Sequence, residues 1–334
     1  MSGGAVEIDR ALLVDSDAFR QWVVEPCRPV VIRGAVADWP LARAASEGDG
    51  LRTYLAQFDA GRQVDAFVGD AAIAGRYTYT DDLAGFNFRR EAMPFADAVG
   101  RITTPRDTGE TLYVGSLPTS FVLPGLAEAN PLTFTPPGVA PRIWIGHGST
   151  VACHYDMMDN LACVVAGERR FTLYPPDAIG DLYVGPIDHT MAGQPVALAA
   201  EAAPGDPRYP RFEQARDRAI MVDLTPGDAL YMPKLWWHRV EARGAFNILI
   251  NYWWDAFPVA PDPPFATMLL AMSAIAARPE AERAAWRAWF DHYVFRPNGH
   301  PLAHLPEARH GILGDSPENA KFVRAHAMRL LRGG

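Results

Sequence analysis

The sequence predicts an all-β core with α decoration in front of it and a helical tail behind it. Three observations predict this. Between residues 141 and 254 the chain breaks into short runs rich in β-branched and aromatic residues: "RIWIG", "TVACHYD", "LACVVAG", "RRFTLYPP", "AIMVDLTPGD", "ALYMP", "WWHRVEA" and "FNILINYWW". Glycine and proline punctuate these runs at the intervals of a β-sandwich or barrel. Beyond 261 the period changes, and Trp286, Trp289, Phe290 and Tyr293 recur at helical spacing on one face.

The segment 1–140 mixes short helices and strands, 141–260 is the β core, and 261–334 is helical. In the first segment "DSDAFRQWVV" offers Asp15 or Ser16 as a cap, with Phe19, Trp22 and Val23 as an apolar face. "RPVVIRGAVADWP" gives a β-branched strand, a turn at Gly34 and a stop at Pro40. "LRTYLAQF" reads as a helix and "TLYVGSLP" as a strand. Within the core, residues 175–218 are proline-rich and aperiodic, too long for a plain connection, and so read as a functional insertion over one end of the barrel. In the tail, Pro279 opens one helix, and Ser316 followed by Pro317 caps another.

Composition excludes several classes. An apolar fraction of 49% and 11% aromatics are those of a globular chain. A net charge of −8 argues against a nucleic-acid-binding face, and the basic residues Lys321, Arg324, Arg329 and Arg332 read as a solvated helix face. No apolar run is long enough for a membrane span. No signal peptide is visible, and three cysteines without a CxxC suggest neither a disulfide framework nor a zinc knuckle. The expected setting is the cytoplasm.

The chemistry concentrates in "TVACHYDMMDN". In a strand, side chains at i and i+2 share a face, so His154 and Asp156 point together into the barrel. His238 in "LWWHRVEA", after a turn and beside Trp236 and Trp237, is the candidate third ligand. Two imidazoles and a carboxylate on one side of a metal leave positions open, which is the facial triad of non-haem Fe(II) oxygenases. A buried anionic cosubstrate would then need a cation. Arg169 and Arg170 lie on alternating faces, so only one of them can turn inward. The pair His300 and His304 flanks Pro301 and is not a helical metal pair. Cys153 should pack away from the site, and Asp159 reads as a solvated or turn residue.

"ACHYDMMDNLACVVAGERRFTLYPPD", "TPGDALYMPKLWWHRVE" and "NILINYWW" resemble the JmjC family of Fe(II)/2-oxoglutarate oxygenases, in particular its asparaginyl-hydroxylase branch and bacterial cupin-like proteins. "RPVVIRGAVADWP" is similar to the entry segment of that family. The resemblance covers roughly residues 28–255 in blocks, dense around the metal ligands and thin in the insertion and tail. It implies a double-stranded β-helix, the cupin-type jelly roll. It implies His154, Asp156 and His238 as iron ligands, and Asn160 and Asn251 beside the cosubstrate. It further implies that Tyr113 and Arg169 hold the distal carboxylate of 2-oxoglutarate. Two positions depart from the family pattern: Arg169 stands where the family has lysine, and Val151 where it has a threonine hydroxyl. Thr150, next to Val151, would face the other way.

The activity so implied is hydroxylation of a protein or peptide side chain, with 2-oxoglutarate as cosubstrate. N-methyl-lysine or arginine demethylation, or oxidation of a small molecule, is the alternative within that chemistry. A non-catalytic metal-binding cupin acting as sensor or dimeric scaffold is the alternative outside it, kept open by Val151 and Arg169. The aromatic tail is similar in kind to the helices through which the asparaginyl-hydroxylase branch forms homodimers.

Overall fold

The computed structural model describes residues 4–47, 50–80, 84–104, 109–188, 190, 193–258, 262–314 and 316–332. The chain divides into two compact units, 1–256 and 257–334.

Twelve strands run through the described part of the first unit: β1 Val6–Asp9, β2 Val30–Arg33, β3 Gln63–Gly69, β4 Arg76–Tyr77, β5 Arg89–Pro94, β6 Thr111–Pro118, β7 Pro141–Gly146, β8 Ser149–His154, β9 Asp159–Tyr174, β10 Ile220–Leu224, β11 Ala229–Met232 and β12 Trp237–Trp254. Two of them are long. β9 and β12 merge pairs of runs that the sequence separates, and they lie antiparallel along nearly their whole length. The start of β9 pairs with β11 and its end with β10. The start of β12 pairs with β8 and its end with β7. Each long strand therefore serves two sheets, β1-β2-β11-β9-β12-β7-β6-β3-β5 and β10-β9-β12-β8-β4. This is a double-stranded β-helix.

The bend between the two sheets needs glycine. Gly167 in β9 has φ +70°, and a Cβ there would overlap the Asn247 amide of β12. The register of β12 against β9 shifts at the same level, between Arg243 and Ile248. Bulges of this kind let a strand turn from one sheet into the next.

Alternation along the long strands sorts the core. Ala162, Val164 and Leu249 face Phe171, Leu173, Val222 and Val240 across the barrel interior. Leu161, Cys163, Val165, Ile248 and Ile250 point to the opposite face, into a larger cluster with Phe19, Leu41, Leu51 and Phe95 from the N-terminal elements. Those elements cover the outer side of the large sheet and add β1, β2, β3, β5 and β6 to it. Asp15 caps the first helix by accepting from Ala18 N–H at 2.8 Å. Trp22, by contrast, is half exposed, while Val23 and Val24 are buried. Pro40 begins a helix, Pro40–Ser46, rather than ending a strand, because a first-turn residue has no use for the N–H that proline lacks.

The 175–218 segment is compact. It contains short helical turns at Pro176–Ala178 and Leu198–Glu201 and a helix at Phe212–Arg216, and shares an apolar cluster with Cys153, Tyr155 and Trp237 of the barrel. The second unit holds helices Pro264–Ile275, Glu280–Phe290 and Pro317–Leu331, the last capped by Ser316. No helix among the described residues is long and apolar enough to cross a membrane.

Asp159, expected at the surface, is buried at 1% exposure. It accepts from the Tyr231 hydroxyl at 2.8 Å, from Ala256 N–H at 3.0 Å, and from Lys234 N–H at 3.4 Å. It thereby ties the start of β9 to the β11–β12 turn and the end of β12. Deleting it strands several buried donors, at about 1–3 kcal/mol for each unsatisfied group. Asp159→Ala is expected to lower the unfolding free energy by about 3 kcal/mol in urea titration, and a loss below about 1 kcal/mol would contradict the assigned role.

Candidate metal centre

His154 is the last residue of β8, and His238 is the second residue of β12. The two are direct cross-strand partners. Residues directly opposite share a face, and the imidazole centroids are 4.4 Å apart. Asp156 lies beyond the end of β8 rather than within it. Its carbonyl accepts from Leu235 N–H at 2.9 Å, which ties the segment carrying Asp156 to the turn before β12. Asp156 Oδ2 lies 3.8 Å from His238 Nε2. One donor atom from each of His154, Asp156 and His238 falls within 4.8 Å of the others.

Both rings are held in the same way. His154 Nδ1 is 2.8 Å from the Ala152 carbonyl, and His238 Nδ1 is 3.0 Å from the Trp236 carbonyl. A carbonyl can only accept, so each Nδ1 carries the proton and each Nε2 presents its lone pair. Burial and the adjacent His154 push the His238 imidazole below its ordinary value, favouring the neutral form that binds a metal. The donor set fits a divalent metal ion with positions left open.

The carboxylate is aimed by a relay of side chains. Trp144 Nε1–H donates to Asn251 Oδ1 at 2.7 Å, Asn251 Nδ2 donates to Asn160 Oδ1 at 3.2 Å, and Asn160 Nδ2 donates to Asp156 Oδ2 at 3.3 Å. The indole can only donate, which fixes the sense of both amides down the line. Asn160 and Asn251 are both buried. Sequence reasoning places them at the site but misses Trp144, although alternation in "RIWIG" sets it on one face between two buried isoleucines of the other.

Arg169 turns inward on the face of Phe171 and Leu173, and Arg170 turns outward to Asp223 at 2.7 Å. Arg169 is 5% exposed, and no carboxylate among the described residues pairs with it. Its Nε is buried without a hydrogen-bond partner. Burial presses the guanidinium below the usual arginine range, and Tyr113 is the group that acts against this. The Tyr113 hydroxyl is itself raised by burial. An unpaired buried guanidinium beside a phenol is a seat for a carboxylate. Val151 shares with Tyr113 the lining of the cavity beside His154, and offers no hydroxyl.

A cavity of about 220 Å³ opens over His154 and Asp156. Phe67, Tyr77, Phe88, Trp144 and Trp253 form aromatic walls, and Gln194 and Val196 enter from the 175–218 segment. Gly115 makes room for the Trp144 indole, since a Cβ there would stand 2.6 Å from the ring. A larger surface groove of about 460 Å³, between Arg52, Asp59 and Phe95, contains no comparable ligand set.

The sequence profile of the cupin-like domain family matches residues 16–260. The bifunctional peptidase and (3S)-lysyl hydroxylase JMJD7 of Homo sapiens is 28% identical over 271 residues, covering 71% of this chain and 80% of that protein. The lysine-specific demethylase JMJ31 of Arabidopsis thaliana is 34% identical over 103 residues, covering 31% of this chain and 18% of that protein. HSPB1-associated protein 1 of Rattus norvegicus is 34% identical over 118 residues, covering 35% of this chain and 24% of that protein.

Titration with Co(II) is expected to show one bound ion per chain. His238→Ala should weaken it by more than the roughly 10–100-fold that loss of an outer-shell partner costs. The metal-free chain carries a pH signature as well. Because the folded state holds His238 below its ordinary 6.5, the unfolded chain binds that proton more readily. Stability is therefore full above that value and lost as pH falls below it. His238→Asn should flatten the dependence of the thermal midpoint between neutral and mildly acidic pH; an unchanged slope would contradict the assignment.

Proposed function

The chain belongs to the cupin-like JmjC family, and from that premise we propose that it is an Fe(II)- and 2-oxoglutarate-dependent oxygenase that hydroxylates a protein side chain. The observation that carries the reading is the meeting of His154, Asp156 and His238 within 4.8 Å, in the same barrel as an unpaired buried arginine. The similarity to a protein named as a lysyl hydroxylase, extending over most of both chains, supports a protein substrate. Local similarity to a protein named as a lysine demethylase makes N-demethylation the second reading. The three described cysteines are unpaired, which fits the reducing cytoplasm.

In this reading His154, Asp156 and His238 hold the iron. Arg169 and Tyr113 hold the distal carboxylate of 2-oxoglutarate, with the guanidinium supplying the donors that Val151 lacks. Bound iron and 2-oxoglutarate together supply the oxidising power, the cosubstrate being spent to succinate and CO₂. Asn160 and Asn251 keep Asp156 from rotating. The aromatic walls exclude water and leave an apolar approach for the substrate carbon.

We also read the second unit as a dimerisation element. Helices Pro264–Ile275 and Glu280–Phe290 bury none of their residues within one chain, and Leu270, Trp289 and Phe295 are 51%, 60% and 70% exposed. So much exposed apolar surface marks an interface, here with a second copy. Sedimentation should give a two-chain species for the native protein and a single chain for Trp289→Glu combined with Phe295→Glu; a native monomer would refute this.

Incubated with Fe(II), 2-oxoglutarate and ascorbate, the protein is expected to release succinate. Truncating one member of a buried charge pair costs about 2–5 kcal/mol, so Arg169→Ala should raise the KM for 2-oxoglutarate by about 30-fold or more, with Arg169→Lys partly restoring it. Peptides from a cell lysate should gain the mass of one oxygen atom. Absence of both succinate release and 2-oxoglutarate binding would leave the scaffold reading in its place.

A further inference from the structure

The 175–218 segment holds the chain neighbours of both histidines from outside the barrel. Cys153 and Tyr155 flank His154, and Trp237 precedes His238. All three are buried in one apolar cluster with Leu182, Ala197 and Phe212. Arg239, which follows His238, lies 3.4 Å from Glu201. Glu201 in turn accepts from Cys153 N–H at 3.0 Å, and Ala197 N–H donates to the Cys153 carbonyl at 2.8 Å. The segment thus takes both backbone groups of Cys153.

It does so where the β8–β12 ladder slips. His238 stands opposite His154, yet Val240 stands opposite Val151, so β8 carries one residue more than β12 over this stretch. A bulge re-aims the side chains beside it and leaves backbone groups without a ladder partner. Here those groups belong to the residue next to a candidate ligand. Glu201 is largely buried, and burial raises its carboxyl against the pull of Arg239. A carboxylate so placed depends on its partners.

We infer that Glu201 is a positioning residue for the metal centre: by holding the Cys153 N–H at the bulge, with Arg239 as its ionic neighbour, it fixes the directions of His154 and His238. The inference rests on the metal-centre reading and gives the 175–218 segment a part in that centre, as its outer brace. A Glu201 that merely fastened the segment would leave metal affinity unchanged.

The test uses the full chain and Co(II), whose d–d absorption reports ligand geometry. Loss of an outer-shell partner costs roughly 10–100-fold in metal affinity, and that is the fall expected for Glu201→Ala, with an altered band shape. Glu201→Asp, one methylene too short to reach Cys153, should behave like it. Glu201→Gln keeps an oxygen for the Cys153 amide and should stay near the native affinity. Native affinity and spectrum in Glu201→Ala or Glu201→Asp would overturn the inference. If Glu201→Ala does not fold, Glu201→Asp against Glu201→Gln decides, and equal affinities overturn it. A native chain that binds no Co(II) would instead overturn the metal-centre reading, and this inference with it.

Discussion

The site depends on the register of a single antiparallel pair. β8 and the first half of β12 align His154 directly opposite His238, and side chains so placed stand close enough to share an ion. A slip of one residue would carry Trp237 or Arg239 inward and turn the second imidazole out, since strand side chains alternate. Several interactions guard against that slip. Trp237 is buried in the cluster of the 175–218 segment, Arg239 pairs with Glu241 at 2.9 Å and approaches Glu201, and Leu235 N–H is bonded to the Asp156 carbonyl. The same register is relayed through β12 to β9, whose inward face carries Asn160 at one end and Arg169 toward the other. The candidate metal ligands, the amides that steady Asp156 and the unpaired guanidinium therefore follow from how β8, β9 and β12 are aligned.

What was legible in the sequence is what alternation and spacing can reach. The pairing of His154 with Asp156 is local, and so is the rule that Arg169 and Arg170 face opposite ways; the second follows from strand geometry alone. The first succeeds for a partly different reason. Asp156 lies past the strand end, where the i+2 rule no longer applies, and backbone contact with the β11–β12 turn supports it there. His238 could be nominated from its aromatic setting and its turn, but its register against β8 is a long-range fact. The merging of adjacent runs into β9 and β12 was not visible either, because Gly167 reads locally as a turn when it is in fact a bend inside a strand.

Asp159 shows the other limit. A short acidic residue after a methionine pair has the local chemistry of a loop, and nothing nearby in the sequence announces that Tyr231, Lys234 and Ala256 converge on it. The 175–218 segment is the same case on a larger scale. It lacks periodicity because its turns are stabilised by packing against Cys153, Tyr155 and Trp237 rather than by helical or strand propensity. Elements ordered by contacts distant in the chain leave little trace in their own residues.

Charge accounting gives the arrangement its coherence. A buried site is stable when its charges nearly cancel. Among the described residues they do not: Arg169 has no carboxylate partner, and its Nε has no acceptor. Burial presses its guanidinium below the usual arginine range, against the pull of Tyr113. In the proposed reading a divalent metal and the guanidinium together carry three positive charges, and a dicarboxylate with Asp156 carries three negative ones. Each member is then paired, and the site as a whole is neutral. A monoanion would leave positive charge over, and a neutral ligand would leave the guanidinium orphaned. In the proposed reading the unpaired Arg169 thus favours a dianion that spans from the metal to the guanidinium. That preference rests on Arg169 itself and does not call on a hydroxyl at Val151.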